Sequence, residues 1–237
     1  MGPGKRYDPR TLFALSRRLL CLLLLTAAGG AACVGLRMDP SRPLAEPFRV
    51  LLLGDSISIG YTQPVRELLA GRATVIRPTL ADGRPENCQG TTKGVAQLER
   101  WLELDGGGFG VIHVNFGLHD LKRVNNSTPN DPPQASPEVY GAQLRTILSR
   151  LCATGARVVF ATTTPIPGGE LRPYRAPGDS RIYNQVALEV AAELDVAVND
   201  LYGFAIAQHP SLLQPGNVHF DQQGSRLLAE RVVASIL

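Results

Sequence analysis

From residue 48 onward, short unbroken apolar runs alternate with segments where apolar residues recur every three or four positions. The runs are "RVLLLG" (49–54), "ATVIRP" (73–78), "VIHVNFG" (111–117), "RVVFATTTP" (157–165) and "VAVNDL" (196–201). They are rich in β-branched residues and bounded by Gly, Pro or Asp, which predicts five strands. In "QLRTILSRL", Leu144, Ile147, Leu148 and Leu151 fall at helical spacing, one face of a helix. Ser136 is its predicted cap, with Pro137 in the first turn and Gly155 after its end. "VAQLERWL" predicts a second such face from Val95, Leu98, Trp101 and Leu102, and 181–194 and 222–237 follow the same period. Strands as continuously apolar as "VLLL" and "VVFA" must be buried on both sides, so the alternation implies a parallel sheet with helices over both faces.

At 237 residues the chain suits one domain with a substantial core, and 44% hydrophobic against 19% charged residues marks it as globular. The formal charge of +3 is concentrated at one end. Residues 1–42 hold seven of the 24 Lys and Arg and two of the 21 acids, leaving 17 basic and 19 acidic residues beyond. No basic stripe remains for nucleic acid.

The same front end places Lys5, Arg6, Arg10, Arg17 and Arg18 before the apolar "LLCLLLLTAA" and the small residues "GGAAC". This is the order of an export signal, assigned to residues 1–32. "SRRLL" resembles a twin-arginine signal, and "GAAC" is a poor lipoprotein box. The alternative is a retained anchor, because Leu19 to Leu36 is uncharged over 18 residues, enough to span a bilayer. Either way the body is expected in an exported compartment: periplasmic, secreted or membrane-tethered. Residues 33–47, with Pro40, Pro43 and Pro47, read as a linker, and 48–237 as the domain. Cys88 and Cys152 fit no metal spacing, and their pairing is not deducible.

In a doubly wound sheet, ligands bind at the carboxyl ends of the strands. The stretch "VLLLGDSISIG" (Val50 to Gly60) ends there in Gly-Asp-Ser. Turn chemistry explains such residues; so does a nucleophile held at the sheet edge, and other segments favour the second reading. After the next strand comes "ENCQGTTKG" with Gly90, after the third "FGLHD" with His119 and Asp120, and after the fifth and its long loop "GNVHF" with His219. A hydroxyl, an imidazole to take its proton and N–H donors around a developing oxyanion are the parts acyl transfer needs. The other polar residues have structural readings. His113 lies within a strand, His209 in a loop, and Asp221 before the last helix as its cap. Asp120 anchors its loop, Asp200 braces a strand end, and Tyr183 and Asn184 brace the sheet edge. "GDSISIG" matches neither nucleotide-binding glycine motif.

These blocks resemble the SGNH (GDSL) hydrolases over residues 48–237. The resemblance implies a flavodoxin-like three-layer α/β/α sandwich with a five-stranded parallel sheet. It matches Ser56 to the nucleophile and His219 to the base. The oxyanion hole would draw on Ser56 and Gly90 N–H groups and on His119, which stands where the family has asparagine. Histidine still carries one N–H, but its charge would vary with pH. A second departure is Gly216, three residues before His219, where the family has the aspartate that orients the base. A Ser–His dyad follows, its imidazole oriented by a backbone carbonyl, by Asn217 or by a distant carboxylate such as Asp200. The implied activity is an exported serine ester hydrolase on small-molecule or carbohydrate esters, with no cofactor, no metal, and membrane contact only through a retained or lipidated N-terminal segment. The alternatives are a catalytically weak carbohydrate- or ligand-binding protein on this scaffold, or an O-acyltransferase.

Overall fold

The computed structural model describes residues 44–237 except Asn126 and residues 209–211. The export signal, most of the linker and His209 lie outside the described residues. The elements run β1 (Phe48–Leu53), α1 (Ser56–Leu68), β2 (Ala73–Ile76), α2 (Thr91–Leu102), β3 (Val111–Asn115), α3 (Pro137–Cys152), β4 (Arg157–Ala161), α4 (Asp179–Glu193), β5 (Ala197–Asn199), α5 (Leu201–Gln208) and α6 (Gln222–Ile236).

All five strands are parallel, in the order β2-β1-β3-β4-β5. The chain leaves β1 in one direction through α1 and returns past it through α2. Right-handed crossovers therefore put α1 on one face and α2, α3 and α4 on the other. The packing agrees: α1 lies against α6, and α3 against both α2 and α4. β1 and β3 sit centrally, with Val50 to Leu53, Val111, Ile112 and Val114 fully buried. Order reverses between these two strands, so the crevice for a ligand opens where they end.

The predicted helix caps form as read. Ser136 Oγ accepts from Val139 N–H at 3.3 Å, and Asp221 Oδ1 accepts from Gly224 N–H at 2.7 Å. Val95 departs from the prediction: it is exposed, and Gly94 takes the inward position beside Leu98, Trp101 and Leu102. A Cβ at Gly94 would stand 2.7 Å from Ile147 Cδ1, so α2 approaches α3 through a missing side chain rather than an apolar one. The last predicted strand is also shorter, because Leu201 opens α5 instead of ending β5.

Candidate active site

The turn after β1 is built to present Ser56. Gly54 has no room for a side chain, since a Cβ would fall 2.8 Å from Ser58 Oγ and 3.2 Å from the Asn115 carbonyl oxygen. Asp55 is buried and caps α1, its Oδ1 accepting from Ile57 N–H at 2.9 Å. Burial raises its pKa to about 6. Beneath the turn, Arg77 Nη2 donates to the carbonyl oxygens of Gly54 (3.0 Å) and Glu86 (2.9 Å), and Nη1 to Ser58 Oγ (2.9 Å) and Thr62 Oγ1 (3.0 Å). Four acceptors spread over two segments lock the turn rigidly. Ser56 is the first residue of α1, where backbone N–H groups have no partner within the helix.

His219 lies 163 positions away, and its Nε2 meets Ser56 Oγ at 2.9 Å. On the other side of the ring, Nδ1 stands 2.9 Å from Asn217 Oδ1. That same oxygen accepts the backbone N–H of His219 at 3.0 Å. A backbone N–H can only donate, so the atom facing it is the amide oxygen and Nδ1 must carry the ring hydrogen. Nε2 is then the lone pair directed at the serine hydroxyl, the tautomer a general base needs. Burial, then the charge of Arg175, lower the His219 pKa and favour the neutral ring.

Gly216, where the resemblance implies a carboxylate, has φ +72°, a left-handed conformation that favours glycine. Its N–H donates to the Gly168 carbonyl at 2.8 Å. The loop therefore turns at 216 and delivers an amide from 217 in place of an acid. Asp200 has no part in this: its Oδ1 accepts from Thr162 Oγ1 at 3.0 Å and from Gly203 N–H at 2.9 Å.

The remaining blocks are tied to the same rim. Cys88 N–H donates to the Gly54 carbonyl at 3.1 Å, pulling the second loop onto the serine turn. Gly90 is the N-cap of α2, and a Cβ there would lie 2.8 Å from Asp120 Oδ1. Asp120 accepts from Thr91 N–H at 2.8 Å and lies 2.6 Å from Thr91 Oγ1, so this buried acid fastens the start of α2 to the turn carrying His119. Its pKa is raised to about 6, chiefly by burial. The His119 ring is half-buried, with Nδ1 3.2 Å from Lys122 Nζ. Burial, then the cations Lys122 and Arg175, push the His119 pKa down to about 3. Both effects favour the neutral ring, the state in which a histidine can stand in for an asparagine donor. Arg175 Nε donates to the Leu118 carbonyl at 3.0 Å, linking the loop after β4 to the residue before His119.

Arg77, Lys122 and Arg175 were not among the residues expected at the site. Buried arginines carry no local pattern that separates them from exposed ones, although Lys122 stands three residues after His119. The other residues behave structurally. Tyr183 Oη donates to the Ala135 carbonyl at 2.5 Å, and Asn184 pairs with the backbone of Thr163. His113 is buried, 3.3 Å from Asn199 Nδ2 through Nε2, while its Nδ1 has no hydrogen-bond partner among the described residues. Cys88 is a buried free thiol, and Cys152 is half-buried at the end of α3.

Residues 52–227 match the model of the GDSL-like Lipase/Acylhydrolase family. Among solved structures, a lipase/acylhydrolase from Enterococcus faecalis is similar at 24% identity and TM-score 0.61, over 80% of this chain and 95% of that one. A catalytic mutant of an acetylxylan esterase from Geobacillus stearothermophilus shares 17% identity at TM-score 0.64, covering 81% and 95%. The acetyl xylan esterase AlAXEase shares 16% at TM-score 0.63, covering 80% and 100%. No curated protein matches the chain.

Proposed function

Because the chain belongs to the GDSL-like lipase/acylhydrolase family, we propose that it is a serine ester hydrolase working through Ser56, His219 and Asn217. The observation that carries this reading is the relay in which Asn217 Oδ1 fixes the His219 hydrogen on Nδ1 while Nε2 faces Ser56 Oγ at 2.9 Å. Ser56 Oγ attacks the ester carbonyl and its proton passes to Nε2. The imidazolium that forms is held through Nδ1–H by the amide oxygen and then protonates the leaving alcohol. Water enters, gives its proton to Nε2, and releases the acid by the same steps reversed.

Ser56 N–H, Gly90 N–H and a His119 ring N–H are the proposed donors to the tetrahedral oxyanion. The first two stand at helix N-termini, where unpaired N–H groups favour negative charge. Acetyl esters of saccharides are the proposed substrates, a reading supported by the acetylxylan esterases among the structural neighbours. Action outside the cytoplasm is proposed from the sequence of residues 1–32 alone. The test is hydrolysis of 4-nitrophenyl acetate by the wild type and by Ser56→Ala. The variant should fold and lose turnover by at least about 10³-fold; equal turnover would remove Ser56 from the chemistry. Release of free acetate without an added sugar acceptor separates hydrolysis from acyl transfer.

A further inference from the structure

An oxyanion donor must present a hydrogen in every state the enzyme visits. Asparagine does this unconditionally, because its amide nitrogen always donates. Histidine does not. With the hydrogen on Nδ1, the other ring nitrogen would turn a lone pair toward the oxyanion and repel it. Doubly protonated, it would carry a charge that comes and goes with pH. His119 therefore needs something to choose its state.

We infer that Lys122 is a positioning residue that makes this choice: by donating to Nδ1, its ammonium keeps the His119 ring neutral with its hydrogen on Nε2, ready for the oxyanion. The inference rests on the proposed hydrolysis and adds to it the device by which histidine substitutes for asparagine.

A lysine ammonium has three hydrogens and no lone pair. Its approach to Nδ1 at 3.2 Å therefore requires an acceptor there, and the single ring hydrogen goes to Nε2. The local chain makes the meeting automatic. Leu121 N–H donates to the Gly117 carbonyl at 3.0 Å, closing one turn around His119, and Gln134 N–H donates to the Lys122 carbonyl at 2.9 Å. Residues 119 and 122 thus face the same side. Nε2 has no protein partner among the described residues.

The surroundings also oppose a second proton. The charged or titratable groups acting on the ring are Lys122 from its own turn, Arg175 from the loop after β4, His219 from the segment before α6 and Lys93 from α2, each lowering its proton affinity. The neighbouring acid, Asp120, is turned to Thr91. Lys93 is paired with Glu86 at 2.9 Å. Among the described residues, Lys122 forms no ion pair; burial and Arg175 lower its pKa while Asp120 raises it from a distance, and its close polar contact is the imidazole.

The test is long-range ¹H–¹⁵N correlation of the histidine rings in the full chain, with His119→Asn identifying the signal, alongside pH profiles of kcat and KM for 4-nitrophenyl acetate. The wild type should show Nε2 protonated and Nδ1 bare from pH 8 down to about pH 5. Lys122→Met and Lys122→Gln should give mixed tautomers, protonation of His119 at higher pH, and a fall in kcat of about tenfold with KM changed less. Lys122→Arg should restore tautomer and rate. An Nδ1–H tautomer in the wild type, or an unchanged His119 spectrum and pH profile in both neutral variants, would overturn the inference. The ring spectrum is readable whether or not Ser56 is the nucleophile, so failure of the proposed hydrolysis would show separately, as turnover surviving Ser56→Ala.

Discussion

Asn217→Asp puts a carboxylate where the amide now stands, 2.9 Å from His219 Nδ1. The shape is unchanged, and the carboxylate still accepts both from Nδ1–H and from the His219 backbone N–H that now binds the amide at 3.0 Å. What changes is the charge facing the imidazolium that forms during attack. Two unit charges with centres about 4 Å apart attract by about 4 kcal/mol at an effective dielectric of 20 and about 1 kcal/mol in water. Asn217 and His219 both lie at the surface, the His219 ring only partly withdrawn from water, which places the gain near the lower figure, about 1–2 kcal/mol. One pKa unit corresponds to about 1.4 kcal/mol. The His219 pKa should therefore rise by about one unit and the plateau rate by up to about tenfold.

The sign follows from the role of the base. It works only when neutral, so activity falls as pH drops through its pKa, and raising that pKa moves the acidic limb of kcat/KM to higher pH. Initial rates on 4-nitrophenyl acetate across pH 4–9 would show both effects. An Asn217→Asp limb coincident with that of the wild type, at unchanged rate, would refute the assignment of Asn217 as the orienting group. The result also bears on the missing aspartate. Exchanging a triad carboxylate for an amide can cost about 10⁴-fold, largely because the wrong tautomer results. Here the backbone N–H of His219 fixes the amide oxygen toward the ring, so the tautomer survives and only the charge is lost.

The His219 pKa is lowered by burial and by Arg175, so the wild-type limb should lie below pH 6.5, the ordinary histidine value. Arg175→Met should move it upward, while Arg175→Lys should leave it close to wild type; a limb unmoved in Arg175→Met would exclude the electrostatic link. Gly216→Asp restores the sequence pattern of the family but should not speed turnover. Its φ of +72° costs a residue with a side chain about 1–2 kcal/mol, and a Cβ would press within 3.1 Å of the Glu170 carbonyl oxygen. Lower thermal stability with no gain in rate is expected; a faster enzyme would show that the loop can rebuild around an acid.

The central architecture was legible because burial on both faces leaves a strand no polar positions, as in Val50 to Leu53. The segment after β1 was less legible as a helix. Gly60 and Pro64 interrupt its apolar period, and α1 forms through the Asp55 cap and packing on α6. Ser56 and His219 could be named because each follows a predicted strand. Asn217 remained one option among three, since its function depends on an i to i+2 turn that only the backbone path reveals. Gly94 outranks Val95 because what counts between α2 and α3 is the space available, which hydrophobicity does not encode. Arg77 reaches partners 9 to 23 positions away, and Arg175 meets the Leu118 carbonyl 57 positions away, contacts that no local pattern announces.

The most direct measurement is mass-spectrometric mapping of the protein after reaction with an organophosphonate ester. One adduct is expected, on Ser56, abolished by Ser56→Ala and formed far more slowly in His219→Ala. An unlabelled Ser56 in the folded wild type, or labelling at equal speed without the His219 ring, would contradict it.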